Sequence, residues 1–116
     1  MKNSSHDNMY VESTIGKICQ WHHNRNLVHG STDSQQFIKL IEEVGELAES
    51  IAKGKPIKDD VGDIVVVLIN LCERHHISLK SCLEQAYKDI RHRTGRMVDG
   101  IFIKEQEEAE AKNKKV

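Results

Sequence analysis

A chain of 116 residues is expected to form a single domain, long enough for one hydrophobic core and too short for two. Its 17 basic and 18 acidic side chains nearly balance, which gives no general pull toward a nucleic-acid polymer or an anionic membrane. The longest wholly apolar run, Ile64 to Ile69, is far too short to span a bilayer. The opening "MKNSSHDNMYVEST" lacks the apolar core of a signal peptide. Cys19, Cys72 and Cys82 form no C-x-x-C, which suits reduced thiols in a cytoplasmic protein.

Residues 1–9 are polar and are expected to be loose. A first helix is expected from about Val11 to Asn24, with Ile15, Ile18, Cys19 and His22 on one side, before "NRNLVHGSTDSQ" breaks it. Thr32 with Gln35 three residues later makes a capping-box pattern, so a second helix should start there. Its apolar residues Phe37, Leu40, Ile41, Val44, Leu47, Ala48 and Ile51 follow the spacing of an amphipathic stripe. "KGKP" ends that helix, and Pro56 suits the first turn of the next.

The segment from Ile57 to about Arg74 is ambiguous on propensity, because "IVVVLI" is rich in β-branched residues. Its apolar character runs on to Cys72 with no turn signal, and a lone strand would have no sheet to join, so a helix is expected. A helix apolar on nearly every side must be covered on nearly every side, which points to a partner subunit. Ser78 reads as the N-cap of a fourth helix that carries Leu79, Cys82, Leu83, Ala86 and Ile90 toward the core and stops at Gly95. "RMVDGIFIKE" is expected to be a short extended or turning segment, and 106–116 a charged, solvated tail. The fold class is all-α, a four-helix-type bundle completed by subunit association.

Seven carboxylates lie between Glu42 and Asp63. Glu43 and Glu46 are three apart, as are Asp60 and Asp63, and Glu42 and Glu46 are four apart, so each pair shares a helix face. Helices joined by a short loop pack antiparallel, which could bring the two pairs together. Four converging carboxylates are costly unless a cation neutralises them. An all-oxygen ligand set favours Mg²⁺, or Mn²⁺, over Zn²⁺. The plainer reading of an acidic helix is a solvated face, and Glu49 and Asp59 are read that way.

"EEVGE" followed by "DDVGD" resembles the signature of the MazG-like, all-α nucleoside triphosphate pyrophosphohydrolases, which carry EExxE on one helix and ExxD on the next. The likeness to small phage-type or stand-alone bacterial members continues through "WHHNRNLVHGSTDSQQFIKLIEEVGELAESI" and "SLKSCLEQAYKDIRHRTGRMVDGIFIKE", about Ile15 to Glu105. One departure stands out: Asp60 occupies the position where the family has Glu, one methylene longer. The resemblance implies hydrolysis of a (deoxy)nucleoside triphosphate to monophosphate and pyrophosphate, with Glu43, Glu46, Asp60 and Asp63 as Mg²⁺ ligands. Glu42 would be a further ligand, a supporting group or the base that takes a proton from water. It also implies a homodimer or homotetramer.

The leaving pyrophosphate needs cations of its own. Arg93, Arg96 and Lys104 are the candidates favoured by the likeness of "RTGRMVDGIFIK" to the family's C-terminal signature, and Lys39 is another, one turn before Glu43. Trp21, the only tryptophan, is either a base-stacking platform or a core anchor. Asn70, polar amid "VVVLINLC", is either a bundle-specifying hydrogen bond or a substrate contact. "CQWHH" and "CERHH" share the pattern C-x-x-H-H and form a rival, Cys₂His₂ zinc candidate. The alternative function, from another class, is a non-catalytic nucleotide-binding or oligomeric adaptor protein with a degenerate metal site.

Overall fold

The computed structural model describes residues 4–105. Four helices run from Ser4–Asn24 (α1), Asp33–Ala52 (α2), Lys58–Arg74 (α3) and Leu79–Ile90 (α4), followed by strands Gly95–Val98 (β1) and Ile101–Lys104 (β2). The architecture is mostly helical, as the apolar periodicity predicts. No described helix is long and apolar enough to cross a membrane. The described residues divide into two compact units, one reaching Ser81 and the other beginning at Cys82.

Local chemistry sets the helix ends. Thr32 accepts from the Gln35 N–H at 3.1 Å while the Gln35 side chain accepts from the Thr32 N–H at 3.0 Å, a complete capping box. At the other end of α2, Gly54 takes a left-handed φ of 65°. Its N–H reaches the Ile51 carbonyl and the Lys55 N–H reaches that of Ser50, the two bonds of a Schellman ending. Pro56 falls just before Ile57, the N-cap of α3, rather than inside the first turn. Ser78 caps α4 by accepting from the Ser81 N–H at 3.0 Å.

In the first unit α3 is the central element, packed against both α1 and α2. Every residue from Ile64 to Cys72 is buried or half-buried, the outcome expected of a helix apolar on most sides. Val67, Ile69 and Cys72 of α3 and Val28 of the α1–α2 connection form the buried apolar core. Asn70, fully buried, donates from Nδ2 to the Leu27 carbonyl at 3.0 Å. At the far end Arg74 Nε and His75 Nε2 grip the two oxygens of Asp33 at 2.8 and 2.9 Å, and Arg74 also donates to the Val28 carbonyl. These bonds tie the start of α2 to the end of α3, so the two helices run antiparallel.

Three expectations need correction. The first helix begins at Ser4 rather than near Val11, so most of the segment expected to be loose is helical; residues 1–3, like the tail 106–116, lie outside the described residues. Only Leu40 and Leu47 of the α2 stripe turn to α3, on a line with Gln36, Glu43 and Ser50, while Phe37, Ile41, Val44, Ala48 and Ile51 are exposed. That line is displaced by one residue, about 100° around the axis. The fourth helix ends at Ile90, not at Gly95, and none of its residues is buried.

The segment "RMVDGIFIKE", expected to be extended or turning, is both: it is a β-hairpin. Asp99 and Gly100 both take positive φ, 51° and 81°, as a two-residue type I′ turn requires. Gly95 pairs with Lys104 because only a glycine fits: a Cβ there would meet the Ile103 carbonyl oxygen at 2.2 Å and the Phe102 ring at 2.7 Å.

Candidate metal centre and substrate cleft

The one-residue rotation of α2 is what builds the site. It turns Glu43 inward, to 6 % exposure, where Asp63 of α3 comes opposite and Glu46 lies one turn along. Glu43, Glu46 and Asp63 each offer a carboxylate oxygen within 4.8 Å of the others. Glu43 Oε1 is met by Lys39 Nζ at 3.1 Å, but its Oε2 is buried with no hydrogen-bond partner. Leaving a buried acceptor unsatisfied costs about 1–3 kcal/mol, more for a charged group. A cation held jointly with Glu46 and Asp63 would satisfy it.

The electrostatics point the same way. Glu46 is pushed above the ordinary glutamate range by its hydrogen bond with Glu43, then by the charge of Glu43 and by desolvation; Asp60 adds to the effect and Lys39 opposes it. Lys39 is raised in turn, chiefly by its hydrogen bond to Glu43 and by that residue's charge, and it also lies 3.7 Å from Glu42. The site thus carries more negative charge than one lysine offsets. An all-oxygen donor set of this kind fits Mg²⁺ or Mn²⁺.

Two sequence candidates stand outside the trio. Asp60, half-buried on α3, is felt by Glu46 as a neighbouring charge but does not share the common oxygen cluster. Its side chain is a methylene shorter than the glutamate of the family signature. Glu42 is exposed, one residue around the helix from Glu43.

A cleft of about 370 Å³ adjoins the carboxylates. Lys39, Glu43 and Asp63 contribute its charged lining; Leu27, Val66 and Val67 make it apolar. Trp21 also lines it and is 45 % exposed, so it is no core anchor; the Arg25 guanidinium covers its ring 4.3 Å from the centroid. His22 and Gln36 complete the wall. His22 is buried and fully engaged, with Nε2–H donating to the Val66 carbonyl at 3.0 Å and Nδ1 facing Asn70 Nδ2 at 3.3 Å. Asn70 therefore holds α1 and the following turn against α3 from behind the cleft. Of these lining residues, Leu27 in the turn after α1 and Gln36, Val66 and Val67 on α2 and α3 carry no functional signal in the sequence and were legible only once α1, α2 and α3 were packed.

The MazG nucleotide pyrophosphohydrolase domain model matches residues 32–98, from the N-cap of α2 through β1. The chain belongs to the MazG family. The match takes in all four signature carboxylates, Glu43, Glu46, Asp60 and Asp63. Among curated proteins, the MazG chain is similar to the "Uncharacterized 18.2 kDa protein in rep-hol intergenic region" of Haemophilus phage HP1 (strain HP1c1). The two are 49 % identical over 69 residues, covering 58 % of this chain and 42 % of that protein. The chain thus spans less than half the length of that relative. No solved structure matches.

Arg93, Arg96 and Lys104 belong to the second unit. Arg96 pairs with Ile103 and Lys104 with Gly95, so these two cations project from opposite faces of the hairpin. The C-x-x-H-H pairs do not assemble a shared ligand set among the described residues. Instead Cys19 Sγ–H and His23 Nε2 meet the Glu73 carboxylate at 3.5 and 2.9 Å, and His75 binds Asp33.

Proposed function

We propose that this chain is a Mg²⁺-dependent pyrophosphohydrolase that cleaves a (deoxy)nucleoside triphosphate to the monophosphate and pyrophosphate by water attack at the α-phosphorus. The observation that supports the reading is the clustering of the buried Glu43 carboxylate, one of whose oxygens has no hydrogen-bond partner, with those of Glu46 and Asp63. Glu43, Glu46 and Asp63 would hold the ion, with Asp60 acting on it from the next turn of α3. A bound Mg²⁺ supplies charge neutralisation for the triphosphate and a more acidic water. Glu42, exposed and one residue around the helix from Glu43, would be the base that takes a proton from the attacking water. Lys39, already among the carboxylates, offers positive charge to the phosphates. The adjoining cleft would hold the nucleoside against Trp21.

The exposed α2 residues Phe37, Ile41, Val44, Ala48 and Ile51 recur at i, i+4, i+7, i+11 and i+14, one continuous apolar line. We read it as the face taken by a second copy of the chain in a homodimer or homotetramer.

The test is pyrophosphate release from a panel of nucleoside and deoxynucleoside triphosphates with Mg²⁺. Turnover that disappears with EDTA and in Glu43→Gln supports the enzyme. Tight nucleotide binding with no release from any member of the panel would instead favour the adaptor reading.

A further inference from the structure

The cleft wall contains five polar side chains, and four are committed. His22 has both ring nitrogens engaged. Lys39 and Glu43 are paired with each other, and Asp63 belongs to the metal cluster. Gln36 differs. Its Nε2 donates to Ser31 Oγ at 2.9 Å, and the Ser31 hydroxyl donates onward to Gln35 Oε1 at 3.4 Å. Gln35 Oε1 is fixed as an acceptor because it already receives the Thr32 N–H in the capping box. The direction of the whole chain of bonds therefore starts from the helix cap. It leaves Gln36 with its amide N–H₂ turned to Ser31 and its Oε1 taken by no described residue.

An apolar cleft lined by Leu27, Val66 and Val67, flanked by an indole and carrying one uncommitted neutral acceptor, suits a flat heterocycle with a hydrogen-bond donor on its edge. We infer that Gln36 reads the base, and that the cleft selects nucleotides whose base bears an exocyclic amine, cytosine, adenine or guanine, over uracil and thymine. An exocyclic amine projects beyond the ring and reaches a single wall acceptor directly. Uracil and thymine present keto oxygens at that edge, and their ring N–H is recessed between two of them, so an acceptor approaching it meets lone pairs on both sides. Trp21, on α1 and outside the family-matched segment, forms the stacking side of the same cleft, which makes the selectivity a property of this chain's α1–α2 pairing.

The inference rests on the proposed nucleotide function for what lies beyond the base, and its test is chosen to be independent of turnover. Trp21 is the only tryptophan, so its fluorescence reports this cleft alone. Titration with dCMP, dAMP, dUMP and dTMP, without metal, is expected to give Kd values about tenfold lower for the two amino bases, the range of one net hydrogen bond. Gln36→Leu should bring the four values together, while Gln36→Glu, which keeps an acceptor, should retain the order. Equal binding of all four by the unaltered chain, or an unchanged preference in Gln36→Leu, overturns the assignment. Discrimination in binding without pyrophosphate release would sustain the base reading and remove the hydrolase; release without discrimination would do the reverse.

Discussion

Glu43 shows how much a single side chain can carry. Its burial follows from packing, but its identity follows from chemistry, because a buried carboxylate with one oxygen orphaned makes structural sense chiefly as a ligand. The i, i+3 spacing of Glu43–Glu46 and Asp60–Asp63 was readable in the sequence; that Asp60 falls outside the common cluster was not, since it depends on side-chain reach. The raised pKa of Glu46 gives a testable consequence. A carboxyl raised in the fold stabilises it most below its ordinary value near 4.5, and that contribution is lost as pH rises through the raised value. At neutral pH without metal, Glu46→Gln should therefore raise Tm slightly, by about 2 °C. Mg²⁺ should raise the Tm of the unaltered chain and leave the variant nearly unmoved, as thermal melts with and without the ion would record.

Among the elements, α2 was the most legible and the most misleading. Thr32 and Gln35 announced its start, and Thr32→Ala should cost about 1 kcal/mol in urea unfolding. Its apolar stripe gave the right period and only part of the inner face, Leu40 and Leu47, because Glu43 and its polar neighbours Gln36 and Ser50 take the rest of the side turned to α3. The hairpin was legible as an extended or turning segment, but its strand pairing was not drawn from it although Asp99-Gly100 between "RMV" and "IFIK" is a strong turn signal. The clamp between α2 and α3 was invisible in sequence, since Asp33 and Arg74 are far apart in the chain. Asp33 is held below the ordinary carboxylate range, first by its hydrogen bond from Arg74 and also by His75. A lowered carboxyl contributes stability above its ordinary value near 3.8 and loses it as pH falls through the lowered one. Asp33→Asn should accordingly be less stable than the unaltered chain at pH 6, with the gap closing toward pH 2, measured by urea unfolding across that range.

At the scale of the molecule, the imbalance between apolar surface and apolar core is the main physical fact. Among the described residues the buried hydrophobics are Val28, Val67, Ile69 and Cys72, whereas Phe37, Ile41, Val44 and Ile51 of α2 and Leu83, Tyr87 and Ile90 of α4 are exposed. The sequence signalled the need for cover through the apolar α3, yet the surface left uncovered lies on other helices. Association through the α2 line predicts that Val44→Glu lowers the sedimentation-derived mass to that of one 13.3 kDa chain; an oligomer of unchanged mass would move the interface elsewhere.

The claim on which the rest depends is that Glu43, Glu46 and Asp63 jointly bind a divalent ion. Mn²⁺ titration followed by electron paramagnetic resonance, in the presence of a non-hydrolysable nucleotide, tests it without requiring catalysis. Saturable loss of the free-ion signal by the unaltered chain, weakened by about 100-fold or more in Glu43→Gln, is the predicted result. Equal Mn²⁺ binding by the chain and by that variant would contradict it.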